Sequence, residues 1–202
     1  GRGRRGRGRR CRRNRRDAEK YEEGDDGANK GDAGEHQPRQ SERHPAIGNH
    51  HARCLIGNAG EALAFCQRVN LPNVGVTLDI GHAIQAGERA AQSAVMLARA
   101  NRLFYVHLND NDKIWDWDML PGAYNFWDFI EFFYYLRKIG YRDWFAYDVF
   151  PKEIDTAETF TAATSITLKL MEISERLDPD QIEAMLKRRN PVESMLYLYS
   201  KV

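Results

Sequence analysis

From about residue 52 onward, apolar positions recur with two alternating periods. In "AGEALAFCQRVN" (residues 59–70), Leu63, Phe65, Cys66 and Val69 fall at helical spacing and the pattern stops before Leu71-Pro72, which predicts a helix. "VGVTLDIGH" (74–82) is a β-branched run that predicts a strand carrying Asp79 and His82 at its end. "AGERAAQSAVMLARAN" (86–101) is Ala-rich and helical, and "RLFYVHLND" (102–110) is a second strand. "NFWDFIEFFYYLRKIG" (125–140) is an amphipathic helix closed by Gly140, where a left-handed C-cap is expected. "DWFAYDVFP" (143–151) is a third strand, and "DTAETFTAATSITLKLMEISERL" (155–177) a long helix with Asp155 or Thr156 as N-cap. The last stretch, "LDPDQIEAMLKRRNPVESMLYLYSKV" (177–202), predicts two short helices broken at Pro191, the first capped near Asp178 or Asp180.

Strands that alternate with helices over short connections imply an α/β fold with parallel strands and right-handed crossovers. Polar residues recur at one place in each unit: Asp79 and His82 after the first strand, His107 to Asp118 after the second, Asp148 at the end of the third. Those places are the carboxyl ends of the strands, where parallel α/β sheets and barrels set their sites, so these side chains should converge.

Composition separates the chain into two regimes. Residues 1–51 are Gly, Arg, Asp, Glu, His and Gln with almost no aliphatic side chains, too little apolar surface to offset chain entropy, and are expected to be disordered. Residues 52–175 form the α/β domain and 176–202 a helical tail. The 30 Lys and Arg against 29 Asp and Glu hide an uneven distribution, because "GRGRRGRGRRCRRNRR" holds much of the positive charge. A solvated tail is the better reading of that tract than nucleic-acid binding, since no aromatic residue interleaves the arginines to stack on bases. Cys11, Cys54 and Cys66 show no paired spacing, which argues against a disulfide framework or zinc knuckle and for a reducing, cytoplasmic setting. No apolar run reaches the ~20 residues of a membrane helix.

The chemistry concentrates in "HLNDNDKIWDWDMLPG" (107–122). Asp110, Asp112, Asp116 and Asp118 repel one another unless something holds them, and a cation is the expected partner, with alternate carboxylates of an extended D-x-D facing the same way. Asp110 and Asp112 fit ordinary loop roles. Convergent Asp and His without cysteine is an oxygen-plus-imidazole donor set suited to Mn²⁺, Mg²⁺ or Co²⁺, with Zn²⁺ also compatible. Trp115 and Trp117 beside the acids are open to a ligand-stacking or water-excluding role, whereas Trp127 belongs to the outer helix.

"GVTLDIGHA", "YVHLNDND...WDWDMLPG" and "WFAYDVFP" together resemble successive strands near the end of the xylose-isomerase-like TIM-barrel superfamily of sugar isomerases, sugar epimerases and endonuclease-IV-type nucleases, over roughly residues 54–171. The rhamnose-isomerase-like branch is the nearest. The resemblance implies Asp79, His107 and Asp148 on one metal, Mn²⁺ in the first instance, and His82, Asp116 and Asp118 on a second, catalytic one, with Asp116 and Asp118 positioning a water. It implies aldose–ketose interconversion on a small-molecule sugar. The absence of a Gly-rich phosphate cradle favours a free sugar. A tagatose-type epimerase would have Arg at the position of Lys113 and Glu at that of Asp148; the endonuclease type would have D-x-H in the loop and Glu on the last strand. Both therefore fit less well than an isomerase.

A full barrel has eight strand–helix units in about 250 residues. Three units and a leading helix are recognisable, so the expectation is the C-terminal part of a (β/α)8 barrel, a fragment that self-associates to cover its exposed edges. The family's Glu ligand from the fifth strand has only a faint counterpart in Glu35 of "EHQP". A catalytically inactive metal-binding or interaction remnant is the alternative to an enzyme.

Overall fold

A computed structural model describes residues 55–150 and 153–202. The expected disordered segment 1–51, Cys11, Cys54 and Glu35 lie outside the described residues.

The described chain opens with α1 (Ala59–Val69), whose N-cap Asn58 accepts from the Glu61 N–H, and then β1 (Val76–Asp79). A short helix α2 (Ile80–Gln85) follows without a break, then α3 (Ala90–Arg99), β2 (Leu103–Leu108), α4 (Phe126–Lys138) and β3 (Phe145–Tyr147). Three further helices complete it: α5 (Thr156–Glu175), α6 (Pro179–Arg188) and α7 (Pro191–Tyr199). Each starts as its sequence dictates. Asp155 caps α5, Asp178 caps α6, and Asn190 caps α7, with Pro179 and Pro191 in the first turns, where their missing N–H costs nothing. Gly140 follows α4 at φ +70, the left-handed conformation its position requires.

The strands form one parallel sheet in the order β1-β2-β3, with helices in the crossovers. That is the expected α/β arrangement of part of a TIM barrel. Register decides what the sheet can display. Asp79 is the direct partner of His107, and His107 of Ala146, while the Asp148 N–H bonds to Leu108 O just beyond β3. Because side chains alternate along a strand, Asp148 shares the face of Ala146 and therefore of His107.

One side of the sheet is sealed by apolar packing. Leu78, Val106 and Leu108 meet Leu97 of α3 and Phe129, Phe132 and Phe133 of α4, all buried, and Leu170 and Ile173 of α5 join the same cluster. Trp127 packs on this core and meets Tyr199 of α7 edge-on at 5.2 Å, as the helical spacing implied. Arg137 donates to the carbonyls of Ser174 and Leu177, tying α4 to the end of α5.

One sequence expectation is corrected here. His82 does not end a strand: β1 stops at Asp79, whose carboxylate accepts the His82 N–H at 2.8 Å and starts α2. The β-branched run ends at Thr77, and an Asp able to cap the next N–H groups turns the chain into a helix at once.

Candidate metal centre

Asp79, His107 and Asp148 meet at the carboxyl ends of the three strands. His107 Nδ1 lies 3.5 Å from Asp79 Oδ2 and 3.4 Å from Asp148 Oδ2. One ligand-capable atom from each residue falls within 4.8 Å of the others, the closest such group of Asp, Glu, His or Cys among the described residues. Asp79 is 7% exposed, and its two oxygens have different fates. Oδ1 caps α2, whereas Oδ2 is buried without a hydrogen-bond partner and faces the other two residues. Burial pushes the Asp79 carboxyl above its ordinary value, and the nearby His82 amide and imidazoles only partly counter it. A buried carboxylate oxygen left over after capping, beside an imidazole and a second carboxylate, is a donor set that fits a divalent cation.

The loop after β2 supplies a second group. His82 Nε2 lies 2.8 Å from Asp116 Oδ2, and that hydrogen bond raises His82 to about 9 against its burial. Asp118 stands beside them with its carboxyl raised, first by burial and then by the Asp116 charge, while a hydrogen bond from Asn109 lowers it. Asp116 is largely buried, and His82, Asp116 and Asp118 do not form a group as tight as Asp79, His107 and Asp148 among the described residues.

Asp110 and Asp112 take the ordinary loop roles that the sequence implied. Asp110 is fully buried and accepts from the Asn111, Tyr124 and Asn125 N–H groups and from Asn125 Nδ2. Asp112 accepts from the Ile114 and Trp115 N–H groups and the Trp117 side chain; these donors outweigh burial and keep its carboxyl below the ordinary range. Peptide donors thus hold Asp110 and Asp112, and His82 holds Asp116, so Asp110 and Asp112 have partners without a cation. The D-x-D is not fully extended: Asp118 is left-handed at φ 48, and a short bridge between Asp110 and Met119 closes the loop.

Three asparagines that the pattern reading passed over build this frame. Asn109 Oδ1 accepts the Gly81 N–H, Asn111 Nδ2 donates to Gly81 O, and Asn125 spans Asp110 and the Asn111 carbonyl. A β-carbon on Gly81 would stand 2.6 Å from Asn109 Oδ1, so glycine permits the close approach. Trp115 and Trp117 stay about half exposed, their rings 6.3 Å apart at the outer side of the loop.

No helix among the described residues is long and apolar enough to cross a membrane. No curated protein matches the chain. Residues 42–172, well over half of the chain, match the family described as xylose isomerase-like TIM barrel. With three parallel strands that bring acidic and imidazole side chains together at their carboxyl ends, the chain belongs to the xylose isomerase-like TIM-barrel family.

Proposed function

We propose that this chain carries the cation centre of a sugar isomerase that interconverts an aldose and a ketose. The observation that carries it is the convergence of Asp79, His107 and Asp148, with Asp79 Oδ2 buried and unpartnered. These three would hold one divalent cation, with Mn²⁺ the first candidate and Mg²⁺, Co²⁺ and Zn²⁺ also compatible with the donors. His82, Asp116 and Asp118 would hold a second. A divalent cation supplies Lewis acidity where negative charge develops on the sugar's carbonyl and adjacent hydroxyl oxygens.

The remaining chemistry falls to the protein's own groups. Asp118, whose carboxyl is raised by burial and then by the Asp116 charge, would position a water at the centre. Asp116 is committed to His82 and orients that imidazole. His107, flanked by two carboxylates, presents Nδ1 to the centre.

Two features favour isomerase over epimerase within the family. Asp148 occupies the last-strand position where an epimerase would carry Glu. Lys113, where an epimerase would place an Arg, has its Nζ 3.6 Å from Asp128 Oδ2 in the first turn of α4. Cys66, a buried free thiol, supports a reducing compartment such as the cytoplasm. The proposal is tested by incubating the chain with Mn²⁺ and a panel of free aldoses and ketoses and following interconversion by chromatography. Conversion lost in Asp118→Ala supports the reading; exchange of configuration at one carbon without aldose–ketose conversion replaces it by epimerase.

A further inference from the structure

Asn109 is fully buried, two residues beyond His107, and touches both halves of the centre. Its Oδ1 accepts the Gly81 N–H at 2.9 Å, and its Nδ2 donates to Asp118 Oδ1 at 3.5 Å. The two ends of the carboxamide are not interchangeable here. A peptide N–H demands an acceptor and a carboxylate accepts only, so oxygen must face Gly81 and nitrogen must face Asp118. Gly81 is itself clasped from the other side, its carbonyl taking Asn111 Nδ2 at 2.8 Å, and it lies in the turn that carries Asp79 and His82. An ionised Asp would lack the donor and Leu would lack both groups.

We propose that Asn109 is a positioning residue of the cation centre, its carboxamide fixing the Asp118 carboxylate relative to the Asp79–His82 turn. The inference rests on the cation reading above and goes beyond it by naming the coupling between the two ligand groups. The bond to Asp118 is long and so orients more than it stabilises; the bond to Gly81 anchors the frame. Outer residues that orient ligands are worth about 10–100-fold in metal affinity.

The test is calorimetric Mn²⁺ titration of the full chain and of N109A, D118A and the N109A/D118A double variant, with thermal unfolding in chelator to show that each is folded. N109A is expected to bind about 10–100-fold more weakly than wild type, and in the D118A background its removal is expected to cost clearly less, only the part that comes from the anchor to Gly81. A second variant, N109L, keeps the volume of the side chain and removes both hydrogen bonds without adding a carboxylate that could itself bind metal. Loaded with Co²⁺, it is expected to give a visible absorption spectrum shifted from that of wild type. A purely structural Asn109 would lower the melting temperature yet leave affinity and spectrum unchanged, and that result overturns the inference alone. Equal losses from N109A with and without Asp118 also overturn it. A wild-type chain that binds no Mn²⁺ overturns the cation reading and this inference together.

Discussion

His82 and Asp116, 34 residues apart, meet at 2.8 Å between Nε2 and Oδ2, joining the first turn of α2 to the acidic loop after β2. The pair has a signed pH consequence. His82 is raised from 6.5 to about 9, with the Asp116 hydrogen bond as the largest cause, so its stabilisation is fully present below about 6.5 and is lost as pH rises through about 9. Denaturant unfolding in chelator should show stability falling between pH 6.5 and 9, and His82→Gln should flatten that slope. Because His82 is 40% exposed, solvent screens the effect and it should be small.

The same proton competes with metal. A His must be neutral to ligate, so a cation that engages His82 should bind more tightly at pH 9 than at pH 6 and release protons on binding. Titrations in buffers of different ionisation enthalpy measure that release. Affinity independent of pH would remove His82 from the ligand set.

Asp79 is asked to cap a helix and to bury a charge. Asp79→Asn keeps an oxygen for the His82 N–H and removes the buried charge, whose raised pKa marks it as destabilising near neutral pH. In chelator the variant should melt no lower than wild type, and it should lose the Mn²⁺-dependent rise in melting temperature. Asp79→Ala loses the cap as well and should be about 1 kcal/mol less stable than Asp79→Asn.

Asp110 should behave in the opposite way to a ligand. Its oxygens satisfy three peptide N–H groups and one carboxamide in a fully buried setting, so Asp110→Ala should cost about 3 kcal/mol or more in unfolding free energy. Denaturant titration reads this directly.

Self-association is expected from the surface. Trp144, Phe150, Leu196, Val192 and Tyr199 are each more than half exposed, and α7 buries none of its residues. Light scattering should report a species larger than the monomer. A monodisperse monomer that unfolds cooperatively would contradict this.

Much of this was legible in the sequence because the apolar periods are clean and the parallel register follows from strand–helix alternation. Asp79, His107 and Asp148 converge because each ends or follows a strand, and strand ends are readable from pattern. His82 was misplaced because "IGH" continues the apolar texture of β1; only the capping geometry of Asp79 shows that a helix has begun. That Asp110 and Asp112 serve the loop was legible, but which peptide N–H groups they accept was not, since for Asp110 it depends on how the loop folds back to Asn125. Asn109 and Asn111 left one faint signal, their placement either side of Asp110 close after the strand His, whereas among the described residues asparagine otherwise marks caps and turns.

The most direct test of the central claim is a Mn²⁺ titration of the full chain beside Asp148→Ala. Asp148 is a third exposed and borders His107 at 3.4 Å, so its removal should leave the fold intact. The account predicts saturable binding in the wild-type chain and a loss of at least tenfold in the variant. Equal binding by both, or none by either in folded protein, would contradict a cation centre at Asp79, His107 and Asp148.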